Sequence, residues 1–250
     1  MLSNNQSKHL RALSVKKYRL EHGEFIVEGD KMVSELLGQS SMDIVFIFAL
    51  QSWVEKNARP LRRFSENIHA VSEAELTKIS ALKTPNQVLA VVKLPQTPCS
   101  PSLALDNMCF YLDGIQDPGN MGSILRVADW FGFSAVFCSP DCVDAFSPKV
   151  VQASMGALFR VQTREIELPE LLLEHPDMPV SGAVLDGENF FNAQLPSTGL
   201  LVIGNEGRGI SLPVGSLLSH RISIPRHPLG GAESLNAAIA AGILAAAFRR

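Results

Sequence analysis

Ser234-Leu235-Asn236-Ala-Ala-Ile-Ala-Ala-Gly-Ile-Leu-Ala-Ala-Ala-Phe248 is the stretch from which the fold of this chain can be read. A polar cluster opens it, and about four turns of small and apolar residues follow. A helix with no polar face has to be covered on nearly every side. Upstream, Arg221-Ile-Ser-Ile224 reads as a strand, and a Pro/Gly-rich loop joins it to Glu233-Ser-Leu-Asn236. Strand, loop and capped helix start make a place where backbone N–H groups can face a ligand.

The 250 residues are 46% hydrophobic and 19% charged, which excludes a disordered chain and allows one large or two ordinary domains. No apolar run reaches the ~20 residues of a membrane span. The first residues carry no hydrophobic signal core, so a cytoplasmic protein is expected. Cys99, Cys109, Cys138 and Cys142 lack CxxC or Cys/His ligand spacing, so free thiols and no metal are expected. The net charge of −3 divides unevenly. Residues 1–95 hold 13 Lys/Arg against 10 Asp/Glu, and residues 96–250 hold 9 against 15. A mildly basic first half is compatible with a polyanion such as RNA, and equally with an ordinary solvated surface.

In chain order, residues 3–22 form a basic amphipathic helix. Phe25–Gly29 is a strand, Asp30–Leu37 a helix and Ile44–Ala49 a central strand. Ser52–Phe64 is a helix carrying Lys56, Arg59, Arg62 and Arg63. Ile68–Val71 is a strand, Ser72-Glu-Ala-Glu75 opens a helix to Leu82, and Gln87–Val92 is a strand. This half is a small α/β sandwich. Leu94–Pro101, with three prolines, is a linker. The second half alternates strands at 108–112, 135–138, 161–166, 181–185, 200–203 and 222–224 with helices at 123–131, 148–158 and 168–174. The pattern is that of a parallel sheet, whose ligands sit beyond the carboxyl ends of the strands.

Three loops leave such ends. In Asp113-Gly-Ile-Gln-Asp-Pro-Gly-Asn-Met-Gly122 and the helix after it, Asn120 and Arg126 stand out. A purely structural reading makes Asn120 an N-cap and pairs Arg126 with Asp129. Gly204-Asn-Glu-Gly-Arg-Gly209 has the wrong glycine order for a dinucleotide fold, and no Gly-Lys-Ser/Thr occurs. Its glycines still permit close backbone approach to a flat ligand.

Together, Leu112–Phe133, Leu201–Ser211, and Ile224-Pro225 with Ser234-Leu235-Asn236 resemble the signature motifs of the SpoU or TrmH-like branch of the SPOUT RNA methyltransferases. The resemblance covers residues 108–250. Residues 1–94, through Phe25-Ile-Val-Glu-Gly29 and their layout, are similar to an L30e-like substrate-binding domain, with residues 95–107 as linker and domain start. The resemblance implies an α/β chain: an L30e-like sandwich, then a mostly parallel SPOUT domain with a deep C-terminal trefoil knot. It implies S-adenosylmethionine-dependent methyl transfer to a ribose 2′-hydroxyl in RNA, with rRNA favoured over tRNA by the fused front domain. It also implies a homodimer through the C-terminal helix, where Ala237, Ala241, Gly242 and Ala245 permit close helix approach.

Carried over by position, Asn120, Arg126, Glu206, Ser234 and Asn236 are the catalytic residues, with Glu206 orienting Arg126 or Asn120. Gly204, Asn205, Gly207, Ile224 and Leu235 contact the cofactor. A guanidinium resists deprotonation, so Arg126 is expected to anchor phosphate or ribose and stabilise developing alkoxide, and the base is left open. Lys16, Lys17, Arg19, Arg59, Arg62 and Arg63 are candidate RNA contacts, which position without specifying. One departure is the loop Arg226-His-Pro-Leu-Gly-Gly-Ala-Glu233, longer than the family's usual link after Ile-Pro. Arg226 and His227 there either touch phosphate or belong to a plain solvent loop. The alternative class is an RNA-binding assembly protein that keeps the fold without activity.

Overall fold

The computed structural model describes residues 2–39, 42–82 and 84–249. Packing divides the chain into two compact units, Met1–Gln96 with Phe146–Phe159, and Thr97–Ala145 with Arg160–Arg250.

The first unit runs α1 (Asn4–Ala12), α2 (Lys16–His22), β1 (Glu24–Glu28), α3 (Asp30–Leu36), β2 (Ile44–Ala49), α4 (Gln51–Lys56), α5 (Ala58–Leu61), β3 (Ile68–Ala70), α6 (Glu73–Ile79) and β4 (Val88–Lys93). Its four strands lie in the order β1-β4-β2-β3, with β4 antiparallel to both neighbours. The N-terminal ends of α1 and α6 follow local chemistry. Ser3 with Gln6, and Ser72 with Glu75, form reciprocal capping boxes. The expected single helix over residues 3–22 is two helices, and Leu10 of α1 with Leu13 at its C-cap is buried with Ile26, Phe48, Leu89 and Val91. Burying each such side chain stabilises by about 1.5–3 kcal/mol. The expected helix over residues 52–64 is broken into α4, α5 and a 3-10 segment, with Asn57 outside helical geometry.

The second unit contains α7 (Leu103–Asp106), β5 (Met108–Asp113), α8 (Pro118–Phe131) and β6 (Ala135–Cys138). The chain then contributes α9 (Pro148–Ser154) to the first unit. This segment, expected in the second domain, packs there against β1, and Phe146 meets Phe25 at 5.1 Å. The expected helix over residues 148–158 stops at Ser154, because Met155 and Gly156 adopt left-handed backbone.

Back in the second unit follow β7 (Gln162–Glu165), α10 (Leu168–Leu173), β8 (Val180–Asn189), β9 (Gly199–Gly204), α11 (Leu212–Gly215), β10 (His220–Ser223) and α12 (Ala237–Ala247). The six strands are all parallel, in the order β10-β8-β9-β5-β6-β7. One face buries Tyr111, Phe137, Leu168, Val180, Leu200 and Val202. Against β10, the register of β8 jumps from Gly182 opposite Arg221 to Glu188 opposite Ile222. Residues 183–187 therefore stand out of the ladder. The four cysteines are free and buried.

Candidate active site

A parallel sheet places the ends of β5 and β9 side by side, with Asp113 in register with Gly204. The loops after them are fastened together. Asn205 Nδ2 donates to the Gly114 carbonyl at 2.7 Å, and the Ser211 amide donates to Asp113 Oδ2 at 2.6 Å. The glycine loop then closes on itself. Asn205 and Gly209 exchange backbone hydrogen bonds at 3.0 and 2.9 Å, and Asn205 Oδ1 accepts from the amides of Gly207 and Arg208 at 3.0 and 3.1 Å. Because the loop folds back so tightly, a Cβ at Gly204 would overlap the Gly209 and Ile210 backbone. Glycine is required there by this close approach.

The start of α8 differs from the purely structural expectation. Asp117 is the N-cap, accepting from the Asn120 amide at 2.8 Å, and Pro118 is the first helical residue. The helix thus begins at Pro118, earlier than the expected Ser123, and frees the Asn120 side chain for other work. Asn120, 9% exposed, donates from Nδ2 to Glu206 Oε1 at 2.6 Å. Its Oδ1 accepts from Asn236 Nδ2 at 2.8 Å. Asn236 in turn caps α12, its Oδ1 accepting from the amides of Ala238 and Ile239. One relay, Glu206–Asn120–Asn236, joins the three loops and ends on a helix N-terminus.

Arg126 lies outside this relay. It is exposed on α8 and has no hydrogen bond or ion pair among the described residues. The expected pairing with Asp129 does not occur, since Arg160 takes that carboxylate through its Nε and Nη2 at 2.8–3.1 Å. Glu206 accordingly orients Asn120 and not Arg126.

Between the glycine loop, the displaced part of β8 and the start of α12 lies a cleft of about 360 Å³. Gly204, Asn205, Glu206, Gly207, Ile224, Ser234 and Leu235, all singled out from the sequence, line it. Ala183, Val184, Leu185, Ile203, Ile222 and Leu244 complete the apolar walls. The sequence reading missed these residues: an apolar strand or helix position has no signature until a register jump or a packed neighbour turns it towards a cavity. Arg126, Asn120 and Asn236 do not line the cleft.

Comparison with known proteins bears on the fold and on both parts of the chain. Residues 107–246 match the SpoU rRNA Methylase family, and residues 4–90 match the MRM3-like substrate binding domain. The chain belongs to the SpoU rRNA methylase family. A TrmH-family protein from Porphyromonas gingivalis has the same fold over 100% of this chain and 98% of its own, at 40% identity and a TM-score of 0.87. The SpoU methyltransferase AviRb of Streptomyces viridochromogenes, solved in complex with AdoMet, matches 99% of this chain and 97% of its own, at 26% identity and a TM-score of 0.82. Among sequences, the 23S rRNA (guanosine(2553)-2′-O)-methyltransferase RlmP of Bacillus subtilis is 27% identical over 96% of this chain and 94% of its own length.

For this SpoU-family chain, the candidate RNA contacts of the first unit separate by environment. Lys17, Arg59 and Arg62 are exposed, and Lys16 is half-buried. Arg63 is exposed but donates to the Leu37 carbonyl and lies over the Phe64 ring at 4.8 Å. Arg19 is removed from the set. It is 2% exposed and donates to the Leu13 carbonyl at 2.8 Å, so it ties the turn between α1 and α2 and cannot reach a phosphate.

Proposed function

We propose that this chain is an S-adenosylmethionine-dependent rRNA 2′-O-ribose methyltransferase. The observation that carries the reading is the relay Glu206–Asn120–Asn236 beside a cleft lined by the motif residues. The lining fits the cofactor. Ile203, Ile222, Ile224, Leu235 and Leu244 offer an apolar slot for a heterocycle, while the backbone of Gly204–Gly207 offers polar groups without side-chain obstruction. When bound, the cofactor supplies an activated methyl on a sulfonium.

The chain must hold a ribose hydroxyl in line and manage its proton. Arg126, permanently charged and unpaired, anchors phosphate or ribose and stabilises developing negative charge on the attacking oxygen. Asn120, its two amide atoms both engaged, fixes Glu206 Oε1. That leaves Glu206 Oε2 without a partner among the described residues and able to accept a proton. Ser234, exposed at the cleft, positions the sugar.

The finer architecture belongs to the same proposal. The C-terminal segment makes a trefoil knot. Support comes from the return of the chain after β10, at the sheet edge, to the start of α8 after β5, where Asn236 meets Asn120. Residues 1–94 are an L30e-like RNA-binding domain, and the protein works in the cytoplasm as a homodimer. Ile239, 55% exposed on α12, supports α12 as the interface. Ala237, Ala241 and Ala245 are instead buried within the single chain, where α12 packs on α8.

The test is methyl transfer from tritiated S-adenosylmethionine to unmodified rRNA, followed by alkaline hydrolysis. Label in alkali-resistant dinucleotides is expected. Cofactor binding without any transfer to rRNA would favour the inactive assembly protein.

A further inference from the structure

The first unit carries a second concave site, far in sequence from every motif of the cleft. Asn5, Gln6, His9, Leu10, Phe46 and Phe48 line a cavity of about 240 Å³ between α1 and β2. Phe46 and Phe48 belong to an aromatic cluster with His69 of β3. The His69 ring stacks on Phe48 at 5.0 Å with a 19° interplanar angle and lies 5.5 Å from Phe46. His69 Nε2 is shielded from solvent without a hydrogen-bond partner among the described residues, so the cluster is not a fully satisfied core. Phe46 is only half-buried, leaving aromatic surface at the cavity wall.

The rim is polar. Asn5 is exposed and Gln6 is half-buried, its Oε1 accepting from the Ser3 amide. His9 is pinned through Nε2 to Glu24 Oε2 at 2.8 Å, and its ring meets His22 edge-on at 4.6 Å. One helical turn beyond Asn5 stands Lys8, exposed and unpaired among the described residues.

We propose that this cavity binds the base of one unpaired RNA nucleotide. Phe46 supplies the stacking face, and Lys8 takes the adjoining phosphate. Bases of single strands are held in this way, stacked on aromatic side chains beside cations that meet the backbone. The cavity lies below the roughly 300–1,000 Å³ of ordinary drug-sized pockets, a size for one heterocycle and not for a peptide helix. The mildly basic first half, 13 Lys/Arg against 10 Asp/Glu in residues 1–95, suits the phosphates that accompany a base. The assignment rests on the reading of this chain as an RNA-acting enzyme and adds to it a second nucleotide-binding site, built from residues of the first unit alone.

The test uses the full chain with fluorescein-labelled single-stranded heptanucleotides carrying one central 4-thiouridine, beside the same strand with an abasic centre. Wild-type protein is expected to bind the base-containing strand more tightly, and ultraviolet cross-links are expected in Asn4–Ala12 or Ile44–Ala49. Phe46→Leu keeps apolar bulk but removes the stacking face, and should weaken binding roughly 10- to 100-fold. Phe46→Tyr should restore it, which a variant damaged only in folding would not predict. Lys8→Ala should weaken both strands alike. Equal binding of the two strands, unchanged binding by Phe46→Leu, or cross-links confined to other segments would each overturn the proposal. Methyl transfer to rRNA by the wild-type protein is measured alongside, so that loss of this site leaves the enzymatic reading standing and the two failures are told apart.

Discussion

Two regions of the C-terminal unit are built to opposite rules. Gly204–Gly209 is stitched. Asn205 alone makes two backbone bonds across the loop and three side-chain bonds, and the relay through Asn120 ties Glu206 to the start of α12. Residues 225–235 are exposed throughout and, among the described residues, hydrogen-bond only within themselves. The Gly230 amide donates to the His227 carbonyl at 2.8 Å, the Leu229 amide to His227 Nδ1 at 3.1 Å, and Arg226 Nη1 to the Ala232 carbonyl at 3.2 Å. Arg126 likewise has no partner among the described residues. Stitched groups hold a shape before anything binds, and so determine what fits. Free cations meet a partner only on binding, and so determine what the bound molecule does. Segments with few internal bonds are also those that open at low free-energy cost.

The largest effect should come from a free group. Arg126→Ala should lower methyl transfer by at least about 100-fold, the scale of removing one preorganised charge-stabilising donor. Thermal stability and calorimetric cofactor affinity should stay near wild type, because nothing in the fold leans on that guanidinium. A variant that transfers methyl normally would remove Arg126 from the reaction.

A stitched group should behave in the reverse way. Asn205→Ala removes three side-chain hydrogen bonds, each worth about 1 kcal/mol net, so unfolding should come earlier and cofactor affinity should fall roughly 10- to 100-fold by the same count. Calorimetry and thermal denaturation read both. If affinity fell without loss of stability, Asn205 would be a direct ligand contact and not a fastening.

The smallest expected effect belongs to the N-terminal unit, where Glu24 is stitched and Lys8 has no partner among the described residues. Burial alone would raise the Glu24 carboxyl. Hydrogen bonds from Lys93 and His9, at 2.8 Å each, outweigh it and hold the group below its ordinary 4.5. A carboxyl depressed in the folded state contributes stability above its unfolded value and loses it as pH falls through the folded one. Chemical denaturation should therefore show stability declining below pH 4.5, and Lys93→Met should flatten that decline. An unchanged slope would mean that the Lys93 bond contributes nothing.

Much of the candidate site was legible in the sequence, for identifiable reasons. Glycines crowded around Asn205 and Glu206, and polar residues placed where a strand ends or a helix starts, are local patterns with few structural uses. Ser72-Glu-Ala-Glu75 likewise announced its helix, because a capping box is satisfied within four residues. Other features depended on partners remote in the chain. The loss of Asp129 to Arg160, which leaves Arg126 free, pairs residues from different elements. Arg19 looked like one more surface cation until α1 and α2 closed around it. Val184 and Leu185 reach the cleft only through a register jump between β8 and β10.

By itself, the sequence determined the elements that answer to short-range chemistry: period, caps, turns and the motif loops at strand ends. It also determined that α12 needs cover, since an all-apolar helix has no face for water. Tertiary structure alone decided what provides that cover, seating Ala237, Ala241 and Ala245 inside the chain where α12 packs on α8 and leaving Ile239 outward. It likewise sent residues 146–159 to the N-terminal unit and joined Asn120 to Asn236 across more than a hundred residues. Such long-range pairings depend on which surfaces and hydrogen-bonding groups the whole fold brings together, and no local pattern encodes that.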